Sequence, residues 1–107
     1  MLLKEYEIAE GVFGKLRGLM FRKSFEKPLV FKLKKKTRLG TSIHSFFVFF
    51  PFDIVWLDDG KVIDLYENVK PFTFNITPKK PADCFIEFPA GFIRKHGIKE
   101  GSIIKLG

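Results

Sequence analysis

Apolar and polar positions divide the chain into short elements. Leu2 to Ile8 mixes apolar and charged residues and reads as a first strand. From Gly11 to Phe21, Phe13, Leu16 and Met20 recur at helical spacing with Val12 and Leu19 beside them, which predicts a short helix. Gly14 and Gly18 weaken that helix intrinsically, so packing has to hold it. After Pro28, the stretch Leu29 to Leu33 sets Phe31 and Leu33 on one face and Lys32 and Lys34 on the other, a strand pattern. Phe46 to Phe50 is an unbroken apolar run of strand length, which predicts a strand covered on both faces or one entering a closed barrel. Pro51 then marks a bulge, an edge or a corner.

The second half is punctuated more sharply. Asp53 to Leu57 predicts a strand, Asp59-Gly60 is the favoured type I′ pair, and Lys61 to Leu65 returns as the hairpin partner. Lys70-Pro71 and Thr77 to Pro81 bracket a loop region, because proline fixes φ and pushes the preceding residue to extended geometry. In Ala82 to Phe88, Cys84, Ile86 and Phe88 alternate with Asp83, Phe85 and Glu87 as in a strand. Pro89 to His96 predicts a second short helix, with Arg94, Lys95 and His96 in the last turn where the dipole favours cations. Gly97 suits the C′ position and Ile98 its hydrophobic partner; Glu100-Gly101 then turns the chain into a last strand, Ser102 to Leu106. The sum is mainly β: a compact barrel-like single domain over residues 1–107, of six to eight short strands with two short helices over its openings.

Composition narrows the setting. From Ile43 to Leu57 the apolar stretch falls short of the roughly 20 residues that a membrane helix needs, and it contains His44, Pro51 and Asp53. Proline inside a helix costs about 3 kcal/mol. No membrane partner is expected. Fourteen of the 107 residues are Phe, a ring with no polar atom to satisfy, so most should be core. A single cysteine, Cys84, excludes an internal disulfide, and no apolar leader follows Met1; a cytoplasmic location is the expectation. The chain has no Gln, two Asn and many Lys, a bias associated with heat-stable proteins.

Several segments carry a family resemblance. These are Arg17-Gly18-Leu19-Met20-Phe21-Arg22, Pro51 to Asp58, Gly60-Lys61-Val62-Ile63, and Ile86 to Gly91 with Gly97-Ile98-Lys99 and Gly101. Their order and spacing resemble the DUF192 family of small prokaryotic proteins from about residue 12 to 106. The resemblance implies a compact β-barrel-like fold with short helices and implies no activity. Many bacterial members carry a polar-aromatic stretch resembling FWMKNT before the proline segment, where this chain has Ile43-His44-Ser45-Phe46-Phe47-Val48. Residues 89–106 also resemble the helix–Gly–turn–strand end of AbrB-type DNA-binding proteins, but helix capping explains that echo whatever the function.

Candidate chemistry is sparse. Arg17 and Arg22 offer guanidinium forks for carboxylate or phosphate, or else tie loops to the rim of the fold. Asp53, between Phe52 and Ile54, is either an acid or base with a perturbed pKa or a carboxylate capping a backbone turn. With His44 these residues form the expected ligand-binding set, for an anionic small molecule bound without catalysis. An alternative is a nucleic-acid partner, drawn by the net charge of +7 to Lys32, Lys34, Lys35, Lys36 and Arg38. Against it, lysines also protect strand edges, and no RNA-binding signature is present. A hydrolase with Asp53 or His44 as general base ranks last. No two of His44, His96 and Cys84 fall at a zinc-ligand spacing, so neither metal nor cofactor is expected.

Overall fold

A computed structural model describes residues 1–9, 26–38, 48–73 and 76–107. Within them lie seven strands and one helix: β1 (Leu2–Leu3), β2 (Glu7–Ile8), β3 (Leu29–Thr37), β4 (Phe52–Asp58), β5 (Lys61–Val69), β6 (Ala82–Pro89), α1 (Phe92–His96) and β7 (Lys105–Leu106). The main sheet has five strands in the order β2-β3-β6-β4-β5, and β1 pairs with β7 in a separate parallel ribbon. The β2–β3 pair is parallel, and the remaining ladders of the main sheet are antiparallel.

The register explains why β4 is apolar along nearly its whole length. Val30, Ile86 and Val55 align across three strands on one face; Phe31, Phe85 and Trp56 align on the other. The first face packs on Ile93 of α1, Ile98, Ile104 and Leu3. The second packs on Val48, Val69 and Ile76, with Phe31 stacked on Phe85 at 4.4 Å between ring centroids. Both parities of β4 are thus withdrawn from water: Ile54, Val55 and Trp56 are all fully buried. Burying one such side chain stabilises the fold by about 1.5–3 kcal/mol relative to exposure.

The barrel expectation is corrected here. Among the described residues the terminal strands β2 and β5 do not pair, and the sheet is not closed into a barrel. Cover for the two apolar faces comes from two separate clusters, which removes the need for closure. Edge β5 is blunted instead. Val62 donates to Ser102 O and accepts from Gly101 N, each at 2.8 Å, and Asp64 Oδ1 accepts the N–H of Leu65 at 2.8 Å.

The apolar run before Pro51 is also corrected. Phe46 and Phe47 lie outside the described residues, and Val48, Phe49 and Phe50 are not in a strand; Val48 is buried and Phe49 is 60% exposed. The double-sided strand lies one segment later, in β4. Of the two expected helices, one is present among the described residues, and the other, predicted over 11–21, lies outside them. The first strand is split in two, β3 runs on through the lysines to Thr37, and the last strand shortens to two residues with a bridge at Ile103.

The hairpin follows expectation. Asp59 and Gly60 have φ of 50° and 83°, the double left-handed geometry of a type I′ turn. Helix α1 ends as its residues dictate: Gly97 at φ 62° and the bonds Ile98 N–H to Ile93 O and Gly97 N–H to Arg94 O form a Schellman closure.

Candidate functional site

Asp53 is fully buried on the face that carries α1. Its Oδ1 accepts the N–H of Asn68 at 2.8 Å; its Oδ2 accepts those of Gly91 at 3.1 Å and Ile93 at 2.9 Å. Asn68 has φ 54° and lies where β5 gains a residue against β4, between the pairs Ile54–Tyr66 and Phe52–Val69. Such a bulge leaves a backbone donor off the ladder, and Asp53 receives it. Gly91, the residue before the helix, has no side chain to cap the first turn, and Asp53 takes that role from a neighbouring strand. One carboxylate therefore ties β4, β5 and α1 together, with both oxygens occupied.

Arg17, Arg22 and His44 lie outside the described residues. Lys32, Lys34 and Lys35 are exposed on β3, where the register shifts between Lys32, opposite Cys84, and Thr37, opposite Ala82. Lys36 pairs with Asp58 at 2.9 Å, and this hydrogen bond, then the charge of Asp58, raises the lysine pKa. Arg38 Nε donates to Pro78 O at 2.9 Å. Two of the five cations of this exposed run thus have a partner in the fold.

A groove that periodicity alone does not reveal lies at the opposite end of β6 from Asp53. It has a volume of about 390 Å³ and is lined by Lys32, Asp59, Asp83, Cys84 and Lys105 together with apolar walls. The register brings them together: Lys32 and Leu57 flank Cys84 across β3, β6 and β4, and Asp59 sits in the adjoining turn. The Cys84 thiol is pushed up to about 12 by burial first and by Asp83 next, while Lys32 opposes the shift. It stays protonated at neutral pH and is a poor nucleophile. Asp83 accepts the N–H of Asp59 at 3.2 Å through Oδ2. Among the described residues, no ion pair or hydrogen bond engages the side chains of Lys32, Lys105 or Asp59. The sequence signal that could have found this groove is the strand pairing itself, which joins residues far apart in the chain.

Other ionisable groups act structurally. Asp64 bridges the N–H groups of Leu65 and Lys79, at 2.8 and 3.0 Å, and Lys79 pairs with Glu100, which raises the lysine pKa. Glu87 is buried in the row between Leu29 and Ile54. Among the described residues no cluster of His, Cys, Asp and Glu could hold a metal ion, and no helix is long and apolar enough to cross a membrane.

The profile of the DUF192 family, described as Uncharacterized ACR, matches residues 3–106. The chain belongs to the DUF192 family. A UPF0127 protein of Thermococcus kodakarensis is 37% identical over 98 residues, covering 92% of this chain and 62% of the relative. Another from Pyrococcus furiosus is 35% identical over 98 residues, covering 91% of this chain and 82% of the relative. The DUF192 chain spans about three fifths of the length of the Thermococcus relatives it matches. Its fold is shared with a crystal structure from Sinorhizobium meliloti, described as a candidate transcription regulator, at TM-score 0.84 and 20% identity, covering 92% of this chain and 78% of that one. A protein of unknown function from Novosphingobium aromaticivorans gives TM-score 0.83 at 22% identity, covering 92% and 71%. At these identities the likeness is one of fold.

Proposed function

We propose that this DUF192 domain is a non-enzymatic module that binds an anionic small molecule, with the groove between Lys32 and Lys105 as its binding place. The observation that carries the reading is the pair of lysines, on β3 and β7, that line one concavity and form no ion pair among the described residues. Unpaired ammonium groups on low-dielectric walls raise the local concentration of anions. Catalysis through the groups at hand is disfavoured: burial keeps Cys84 protonated, and backbone donors occupy both oxygens of Asp53. Arg17 and Arg22 stay, by their guanidinium chemistry, a separate candidate for anion binding.

Thermal-shift titration with small carboxylates and inorganic phosphate tests the reading. Binding should raise the melting temperature. Lys32→Ala combined with Lys105→Ala should erase the rise. A rise that survives the double substitution removes the groove as the site.

A second reading is nucleic-acid association through Lys32, Lys34, Lys35, Lys36 and Arg38, favoured by the exposure of the first three on one strand. It requires affinity that falls steeply with salt and is lost on Lys34→Glu with Lys35→Glu; no retention on nucleic acid at about 50 mM salt would reject it.

A further inference from the structure

Resting on the reading of the groove as a binding place, we propose that its ligand is a zwitterion with an aliphatic body, of the free amino-acid class. The groove holds charges of both signs. Lys32 and Lys105 stand against Asp59 and Asp83, and no ion pair joins any two of them. Asp58, the neighbouring carboxylate, is paired with Lys36, whose charge also acts on Asp83 and Asp59 without forming an ion pair with either. A simple anion would be drawn to Lys32 and Lys105 and leave Asp59 and Asp83 unmatched; a simple cation would do the reverse. A ligand carrying both charges satisfies both pairs, which is how charged groups give specificity more than raw affinity.

Two further observations agree. Of the groove's apolar lining, Leu33 and Leu106 are half-buried and Leu57 and Ile104 are buried behind them in the core, which favours an aliphatic body over a polar one. The volume of about 390 Å³ lies at the small end of the ligand-pocket range.

Calorimetric titration of the whole chain at low salt, with L-leucine, N-acetyl-L-leucine and L-leucinamide, separates the possibilities. Leucine should bind roughly tenfold or more tightly than either singly charged analogue. Asp59→Asn, at a residue whose side chain makes no hydrogen bond among the described residues, should weaken leucine to the level of N-acetyl-leucine and leave N-acetyl-leucine no weaker. Lys32→Ala with Lys105→Ala should abolish both. If N-acetyl-leucine binds as tightly as leucine, the zwitterion inference fails and the anion reading survives. Heat with neither compound, or tightest binding of leucinamide, overturns both for this groove. Circular dichroism of each variant confirms that it is folded.

Discussion

Asp53 Oδ2 accepts the N–H of Ile93 at 2.9 Å, so a strand carboxylate caps a helix that begins some forty residues later in the chain. With Gly91 and Asn68 as its other donors, Asp53 closes three backbone vacancies that no local side chain reaches. Its buried position is thereby explained without any reaction.

Removing that carboxylate should be costly. A hydrogen bond to a charged group contributes about 1.5–3 kcal/mol, and each donor left unpaired adds its own desolvation penalty. Asp53→Ala is therefore expected to lose more than about 3 kcal/mol in urea melts. Asp53→Asn, which keeps one acceptor oxygen, should lose less. A loss below about 1 kcal/mol for the alanine variant would contradict the capping role.

The phenylalanine-rich segment should behave unevenly. Phe52 is fully buried and Phe49 is 60% exposed, with its ring edge-on to Phe72 at 6.2 Å. Phe52→Ala is expected to cost about 3–5 kcal/mol, while Phe49→Ser should stay within about 0.5 kcal/mol. Equal costs at the two positions would mean that the run is one continuous core strand after all.

Cys84 links stability to alkaline pH. Its folded pKa, about 12, exceeds the ordinary value of 9.0. The unfolded state therefore releases its proton first, and stability falls as pH rises from 9.0 towards about 12. Below 9.0 the thiol contributes no pH dependence. Cys84→Ala should flatten this part of the decline, read from denaturant midpoints on either side of pH 9.0. Native protein should also resist thiol alkylation at neutral pH and react on unfolding.

Turn geometry gives a further check. Gly60 sits at φ 83°, and an added Cβ would lie 3.4 Å from Ile104 O. Gly60→Val combines a left-handed β-branched residue with that close approach and should destabilise by about 1–3 kcal/mol. Gly97→Asn at φ 62° should be mild by comparison, since asparagine tolerates the left-handed region.

Local chemistry made much of this molecule readable. The Asp59-Gly60 hairpin, the Gly97 helix stop with Ile98 beneath it, and the strand over Ala82 to Phe88 depend on a few adjacent residues, and all three are present. The strand expected over Phe46 to Phe50 was not readable in this way. Hydrophobicity states that a residue resists water but not which residues supply the cover, and Phe49 takes the exposed side. The barrel expectation came from the same gap, since two-sided burial is met equally by closure or by two packed clusters.

The sequence by itself determined the β-rich character, the turn positions and the family. It raised both roles of Asp53, acid or cap, without choosing between them, because the donors from Asn68, Gly91 and Ile93 are distant along the chain. Only tertiary structure decided that the sheet is not closed into a barrel, that Lys36 and Arg38 are engaged, and that Lys32, Asp59, Asp83 and Lys105 line one groove. The reason is that turns and caps are fixed by backbone torsions over a few residues. Sheet order and register instead juxtapose residues whose separation along the chain carries no signal of their contact.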